Sequence, residues 1–107
     1  MVHPLCALLH LIPFGRVASY GEVARLLGLI HGIKTSGWMV GRVLSGLPRE
    51  KWDSVPWRRV VAQNGQIVAH KIGEKGIIQE EKLIAEGVAV QDHCVRKDFF
   101  WVWDRGS

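Results

Sequence analysis

Four segments of this chain carry apolar residues at the 3.6-residue spacing of an α-helix. Residues 5–11 form a short apolar segment that ends just before a proline, which predicts a first helix. In residues 18–28, Ser19 is followed three residues later by Glu22, the pattern of a capping box, and Gly28 stands where this second helix is expected to end. Its apolar stripe consists of Val23, Leu26 and Leu27.

A third helix is predicted for residues 37–46, with Thr35 or Ser36 as its N-cap. Together with the second helix it resembles a helix-turn-helix, in which the later helix reads a DNA groove. The third helix contains Gly37 and Gly41, although glycine costs about 1 kcal/mol in a helix interior. The two glycines therefore indicate either a place where another backbone approaches closely or tight helix packing in the core.

The second half of the chain mixes β and α patterns. Residues 58–70 are predicted to form two strands joined at Asn64-Gly65, the dipeptide that most favours a tight hairpin turn, and this hairpin would supply a wing. A strand at 88–91 and an aromatic segment at 99–103, expected in the core, complete the domain.

An amphipathic helix is predicted for residues 76–87, with Gly87 as its C-terminal cap. Its expected buried side consists of Ile77, Ile78, Leu83 and Ile84. The predicted fold is therefore mostly α with a small β-hairpin wing, in a single domain over residues 1–107.

Composition and charge narrow the class of protein. The chain has 107 residues, of which 48% are hydrophobic and 22% charged, which is typical of one globular domain. Its net charge is +4 and its pI is about 9.4, which favours nucleic acid as a partner. No apolar run approaches the roughly 20 residues of a membrane span, so we expect a cytoplasmic protein with no membrane partner.

Cys6 and Cys94 are far apart in sequence and lack a partner spacing such as C-x-x-C. The sequence therefore supports neither a disulfide framework nor a zinc site. We expect free thiols, and we expect no metal and no cofactor.

Four ordered blocks carry a resemblance to a known family. They are "IPFGRVASYGEVARLLG", "VGRVLSGLP", "VPWRRVVAQNGQI" and "AEGVAV", followed by a tryptophan-rich end. Over roughly residues 5–103 the chain resembles the DNA-binding domain of the O6-alkylguanine-DNA alkyltransferases. The resemblance implies a winged helix-turn-helix domain of the alkyltransferase C-terminal type.

The third block departs from the enzymes at the reactive positions. Trp57 stands where they have the acceptor cysteine, and Arg58 stands where they have the histidine base. An indole is not a nucleophile, and a guanidinium with a pKa above about 12 is not a general base at neutral pH. The sequence thus predicts no catalytic residue and no enzyme. It resembles the alkyltransferase-like proteins, which bind O6-alkylguanine in double-stranded DNA, flip it out and flag it for nucleotide excision repair.

The resemblance implies roles for individual residues. Tyr20 matches the tyrosine that presses on the phosphate 3′ of the target nucleotide. Trp38 stands at the position of the intercalating arginine, while Arg42, one turn later, is the alternative for that role. Arg59 is expected either to brace the site or to touch DNA, with Arg58 and Gly41 also on the DNA-binding side. The expected lesion pocket consists of Trp57, Val60, Met39, Val40 and His70.

Several alternatives stay open at this level. Trp57 is expected either to hold the flipped base by aromatic contact or to be buried under the hairpin. Glu86, which matches a glutamate that supports the enzymes' histidine, is expected to keep a structural role. An active transferase using Cys6 or Cys94 and a winged-helix transcription regulator are the rival functions. The expected partners are DNA containing O6-alkylguanine and nucleotide excision repair proteins, and the expected state is a monomer.

Overall fold

The computed structural model describes residues 4–68 and 73–102, which fold mainly into helices with short two-stranded pairings. The helices are α1 (Pro4–Leu9), α2 (Tyr20–His31), α3 (Gly37–Ser45) and α4 (Glu74–Ala85). The strands are β1 (Ala18–Ser19), β2 (Val60–Val61), β3 (Val90–Gln91) and β4 (Cys94–Val95). Short 3-10 helices cover Arg49–Lys51, Trp57–Arg59 and Lys97–Phe99. The prediction of a mostly helical fold with a small β component is confirmed.

The start of α2 follows the predicted cap, but its end does not. The Ser19 hydroxyl accepts a hydrogen bond from the Glu22 amide at 3.0 Å, while the Glu22 carboxylate pairs with Arg25 instead of returning to the cap. The predicted end at Gly28 is wrong. The helix continues to Gly32, whose φ of 68° is left-handed and whose N–H bonds back to the Gly28 carbonyl. A glycine ends a helix only where the chain needs that conformation.

The second helix packs closely against α3. The Ser36 hydroxyl caps α3 by accepting the backbone N–H three residues later at 3.2 Å. A Cβ on Gly37 would lie 3.0 Å from the Gly21 backbone nitrogen, so this glycine lets the two backbones approach. Gly41 instead faces the ring of Tyr20, where a Cβ would sit at an ordinary 3.6 Å. Of the two interpretations, close backbone approach is therefore correct for Gly37.

Two apolar clusters form the core, and the parallel β1–β2 pair lies between them. Ala18 is paired with Val60, and both belong to the first cluster with the buried faces of α1, α2 and α3. Val17 and Val61 belong to the second cluster, since successive strand residues point to opposite faces. That cluster also contains Ile67, Leu83, Val88 and Val95.

The Asn64-Gly65 turn is confirmed, but the strands beside it pair differently from the prediction. Gly65 donates to the Ala62 carbonyl at 2.8 Å and has φ of 89°, and a Cβ there would collide with the Val95 carbonyl oxygen. The Ala62 amide donates to the Gln66 carbonyl at 3.0 Å across this turn, but β2 itself pairs with β1 and not with the predicted second strand. Because Val60 and Val61 are both buried, they require apolar cover on both faces, which an exposed wing would not give.

The hairpin that does form lies later in the chain. Strands β3 and β4 pair antiparallel, and Gln66 adds an antiparallel bridge to Cys94. Asp92 and His93 make the connecting turn with positive φ values of 53° and 62°. The remaining residues of the predicted wing, Ala69 and His70, lie outside the described part of the chain.

The buried side of α4 differs from the prediction. Leu83 is buried and Ile78 is half-buried, but Ile77 and Ile84 are 58% and 55% exposed. Gly87 follows the helix as predicted and donates to the Ile84 carbonyl at 2.9 Å. Two polar side chains are buried on α4 in place of the isoleucines: Lys75 and Gln79.

The aromatic segment joins the core only in part. Phe99 and Phe100 pack on the second cluster and Trp101 on the first, all half-buried, whereas Val102 is 76% exposed. Trp103 lies outside the described residues. Over residues 4–68 and 73–102, no helix is long and apolar enough to cross a membrane.

The two glycines of α3 should respond oppositely to alanine. Gly37→Ala is expected to lower the free energy of unfolding by about 1–3 kcal/mol, because its methyl group would press on the backbone of α2. Gly41→Ala is expected to be neutral or to raise it by up to about 1 kcal/mol, because that position is in a helix interior and has room. Urea unfolding of both variants checks this, and equal effects would contradict the close approach at Gly37.

Candidate functional site

A cavity of about 700 Å³ opens between the start of α2, helix α3 and the start of α4. Pockets of this size commonly take small ligands or parts of larger ones. Its described lining is largely aromatic and aliphatic, with two positively charged side chains. It consists of Tyr20, Gly37, Trp38, Gly41, Arg42, Leu44, Ser45, Trp57, Val68, Lys75 and Gln79.

Trp57 forms one wall of this cavity from an anchored position. Its side chain is only 3% exposed, and its indole Nε1 donates to the Trp52 carbonyl at 3.0 Å. The two indole rings lie 5.7 Å apart between centroids at an angle of 58°. Of the two interpretations, the burial of Trp57 is observed, and only a small part of its surface lines the cavity.

Lys75 carries a charge into the same cavity. It is 7% exposed and donates to the Leu44 carbonyl at 2.7 Å. Its ammonium lies 4.8 Å from the ring centroid of Trp57 and 5.3 Å from that of Trp52. Burial lowers the pKa of the Lys75 ammonium below its usual value. Among the described residues, no carboxylate forms an ion pair with it.

Gln79 ties α4 to the segment that carries Trp57. Its amide Nε2 donates to the carbonyls of Arg58 at 3.1 Å and Val60 at 3.0 Å. Two acceptors fix the orientation of the amide, so its Oε1 is the acceptor that points elsewhere. This oxygen is buried and has no hydrogen-bond partner in the described structure, which is uncommon for a buried polar atom.

Sequence reasoning missed both Lys75 and Gln79. A signal was present, since Lys75, Gln79 and Leu83 follow one another at intervals of four residues and therefore lie on one helical face. The pattern of apolar residues favoured the isoleucines as the buried side of the helix. Polar residues that line a cavity do not contribute to such an apolar stripe.

Four of the predicted DNA-contacting residues lie together on the cavity. Tyr20 sits at the start of α2 against Gly41, and burial raises the pKa of its phenol above its usual value. Trp38 is 67% exposed, and the Arg42 guanidinium stacks over it at 5.3 Å from the ring centroid. An exposed indole supported by an arginine at the opening is suited to insertion between stacked rings.

Arg58 and Arg59 instead point at Glu86, at the end of α4. Arg58 Nε lies 2.7 Å from one carboxylate oxygen, and Arg59 Nε lies 3.0 Å from the other. Arg59 also donates to the Ile12 carbonyl, and the Gly15 amide donates to Glu86 at 2.9 Å. Both arginine side chains are mostly buried, with 19% and 12% exposed. Their location favours bracing of the site over contact with DNA, and Glu86 has the structural role expected for it.

The pKa of Glu86 reflects these contacts. Burial is the largest single effect and raises it. The hydrogen bonds from Arg59, the Gly15 amide and Arg58, together with the charge of Arg59, outweigh burial and leave the pKa below its usual value. The carboxylate is therefore ionised at neutral pH.

The remaining predicted pocket residues are not on the described cavity wall. Val40 and Val60 are buried in the core, at 2% and 1% exposed, because their sides of α3 and β2 face the first apolar cluster. Met39 is 44% exposed on the surface of α3, because successive residues of a helix point in different directions and its neighbour Val40 faces the core. His70 lies outside the described residues.

Neither cysteine meets the cavity. Cys6 packs against the first apolar cluster from α1, and the Cys94 thiol lies beside the Asn64 carbonyl at 3.3 Å. Both are free thiols and neither is among the described lining residues. Within residues 4–68 and 73–102, no three His, Cys, Asp or Glu side chains are grouped to hold a metal ion.

Comparison with protein families matches residues 3–88 to the 6-O-methylguanine DNA methyltransferase, DNA binding domain. A DNA base-flipping protein from Vibrio parahaemolyticus is 35% identical over 86 residues, covering 80% of this chain and 78% of that protein. Alkyltransferase-like protein 1 from Schizosaccharomyces pombe is 34% identical over 79 residues, covering 74% and 68%. A DNA base-flipping protein from Escherichia coli is 39% identical, but the chain spans only 55% of its length.

Solved structures give the same result for the fold. Schizosaccharomyces pombe Atl1, in complex with damaged DNA containing O6-carboxymethylguanine, superposes with a TM-score of 0.69 at 28% identity. That match covers 92% of this chain and 91% of the solved chain. A second structure of the same yeast protein with DNA gives a TM-score of 0.67 at 25% identity.

Glu86→Gln is expected to lower the free energy of unfolding at neutral pH by about 2–4 kcal/mol, because it leaves two buried guanidinium groups without their anion. A carboxylate with a depressed folded-state pKa stabilises fully above its unfolded pKa, and this contribution is lost as pH falls towards the folded value. The stability gap between wild type and Glu86→Gln should thus be full above about pH 5 and shrink below it. Chemical unfolding from pH 3 to 7 measures the gap, and a pH-independent gap would contradict the ion-pair account.

Proposed function

The chain belongs to the family of the 6-O-methylguanine DNA methyltransferase DNA-binding domain, among its alkyltransferase-like members, and on that premise we propose that it is a non-enzymatic sensor of O6-alkylguanine in duplex DNA. One observation carries the proposal: Trp57, at the family's acceptor position, is an anchored wall of a 700 Å³ cavity. The relatives named for base flipping, and the yeast protein solved with damaged DNA, support the same reading.

The cavity is suited to binding and unsuited to alkyl transfer. Transfer needs a thiolate and a base that generates it. Trp57 supplies neither, and Arg58 is held by Glu86 through a bond of 2.7 Å. Because both cysteines lie away from the cavity lining, they offer no substitute nucleophile. The alkyl group therefore stays on the base.

A flipped purine needs apolar and aromatic surface around it. Extrusion from the duplex costs a few kcal/mol of stacking and pairing. Contact with an aromatic wall returns about 1–3 kcal/mol, and Trp57 and Tyr20 both line the cavity. A fixed indole needs no reorganisation when the base arrives, because its Nε1 is already bound to the Trp52 carbonyl. The preformed wall thus favours the extrahelical state.

The DNA-binding surface follows from the positions of α2 and α3. We assign them as the two helices of a winged helix-turn-helix, with α3 as the helix that enters the minor groove. Tyr20 at the capped start of α2 is placed to press on the phosphate 3′ of the target. Trp38 and Arg42 at the cavity opening then fill the gap left in the base stack.

A role in recruiting repair proteins follows from the proposed lack of alkyl transfer. A protein that leaves the lesion unrepaired requires other proteins to remove it, and nucleotide excision repair acts on lesions by excising the damaged strand. We therefore propose that the bound monomer, acting in the cytoplasm, marks the lesion for those proteins.

Trp57→Leu is expected to lose preference for O6-methylguanine over guanine in matched duplexes while it keeps salt-sensitive background binding. The aromatic wall accounts for preference, and phosphate contacts account for background. The loss should be about 1–3 kcal/mol, tenfold or more in the ratio of dissociation constants. Fluorescence anisotropy titrations at two salt concentrations measure that ratio.

Trp101→Leu is the matched control, because Trp101 packs on the first apolar cluster but does not line the described cavity. Both variants remove an indole from the first apolar cluster, so thermal melts by circular dichroism must show that each is folded. If a folded Trp57→Leu variant still prefers O6-methylguanine over guanine, the proposed role of Trp57 in the pocket is wrong. Equal binding of both duplexes by wild type, or binding that follows one base sequence, would favour a transcription regulator.

Trp38→Ala is expected to impair base flipping much more than Arg42→Ala. An inserted indole offsets part of the lost stacking, and Arg42 supports it from 5.3 Å away. Fluorescence of 2-aminopurine placed next to the lesion reports flipping. If Arg42 acts only through Trp38, the double variant should match Trp38→Ala. The reverse order of effects would make Arg42 the inserted residue.

A further inference from the structure

Lys75 is a buried cation between two tryptophan rings. It is 7% exposed, and its ammonium lies over the ring of Trp57 at 4.8 Å and over the ring of Trp52 at 5.3 Å from the centroids. A cation over the face of an indole is attracted by the ring electrons, and this attraction is strongest where water is excluded. The two rings therefore stabilise a buried charge that would otherwise require an ion-pair partner.

The same ammonium is joined to helix α3. It donates a hydrogen bond of 2.7 Å to the carbonyl of Leu44, which lies in the last turn of that helix. The carbonyl groups at the end of a helix carry partial negative charge, so a cation is favourable there. Lys75 thus connects three parts of the molecule that are separate in the chain: its own helix α4, the end of α3 and the segment that carries Trp57.

The contact with Lys75 restricts a movement of Trp57 that its hydrogen bond allows. The bond from its Nε1 to the Trp52 carbonyl holds one edge of the indole at 3.0 Å, and a ring held at one edge can still rock about it. The ammonium over the ring face opposes this movement, because the attraction depends on the cation staying over the face. Trp52 is itself anchored, since its Nε1 donates to the Leu47 carbonyl at 3.1 Å, just beyond α3.

We propose, resting on the proposed function, that Lys75 is a positioning residue for lesion recognition, which holds the Trp57 wall at a fixed place relative to the end of α3. In that function α3 enters the groove and Trp57 meets the flipped base. A lysine that joins the two keeps the cavity wall and the groove helix at one spacing before DNA arrives. Lys75 acts through Trp57 and not on the DNA, because its ammonium is already engaged by the Leu44 carbonyl and both rings.

The first test measures Lys75 in the wild-type protein by NMR. Protons above the face of an aromatic ring are shielded by its ring current. The ε-methylene protons of Lys75, next to the ammonium, should therefore resonate upfield of those of exposed lysines, and the shift should persist when a duplex with O6-methylguanine is bound. An unshifted signal in the free protein would overturn the proposal. Loss of the shift on binding would also overturn it, because Lys75 would then have moved to the DNA.

The second test removes the charge with Lys75→Met, which keeps the length of the side chain. Hydrogen exchange of the Trp57 indole N–H in the free protein should become about fivefold faster or more, and the preference for O6-methylguanine over guanine should fall about fivefold, because the attraction to the ring face is lost. Backbone amides of α2 should keep their protection, which separates a loosened ring from general unfolding. Binding of the guanine duplex should stay within about twofold, because the phosphate contacts are kept.

Lys82→Met is the matched control, because it removes the same charge from the same helix outside the described cavity lining, where Lys82 pairs with Asp53. It should change neither the indole exchange nor the preference, and circular dichroism melts check that each variant is folded. Unaltered indole exchange in a folded Lys75→Met variant would overturn the positioning role even if the preference falls, because the lysine would then act on the DNA directly. If Lys75→Met does not fold, the wild-type NMR measurement decides.

The failure of this proposal and the failure of the proposed function give different results. Equal weakening of the guanine and O6-methylguanine duplexes by Lys75→Met would overturn the role of Lys75 alone, in favour of a phosphate contact. Equal binding of the two duplexes by wild type would overturn the proposed function, and with it any role of Lys75 in recognition.

Discussion

The attachment of the Trp57 segment to α4 is the interaction on which the site depends. Gln79 holds the carbonyls of Arg58 and Val60, and Glu86 holds the side chains of Arg58 and Arg59. The segment between Pro56 and β2 is too short to hold its own shape, so these bonds give Trp57 its fixed place. Since Glu86 also accepts the Gly15 amide, the same carboxylate joins the loop after α1 to the site. Loss of this anchor would release the cavity wall and two buried charges together.

Local signals predicted much of the fold. The cap at Ser19, the turn at Asn64-Gly65 and the glycine after α4 depend on neighbouring residues alone, and the sequence displays those neighbours. The hairpin was placed wrongly because strand pairing is a non-local choice. Val60 and Val61 pair with β1, while the hairpin that forms turns through Asp92 and His93, which lack the glycine that marks such turns.

Features of the site that depend on the residue type at one position could be predicted from the sequence. Features that depend on residues brought together by the fold were missed. Replacement of the acceptor by Trp57 was visible in the sequence, as was the helix-start position of Tyr20. The burial of Lys75 was not, because it follows from the meeting of α3, α4 and two indoles from a separate segment. The engagement of Arg58 and Arg59 by Glu86 likewise joins residues far apart in the chain. These contacts turn a tryptophan substitution into a preformed and positively charged cavity.

In the proposed function, this cavity receives an alkylated guanine and leaves it unchanged. The most direct measurement follows both partners after prolonged incubation of the protein with a stoichiometric duplex that contains O6-methylguanine. Intact-protein mass spectrometry should show an unaltered chain, and nucleoside analysis of the DNA should recover all the O6-methylguanine, although a titration shows the duplex fully bound. A gain of one methyl group per chain, with matching loss of the lesion from the DNA, would contradict the account.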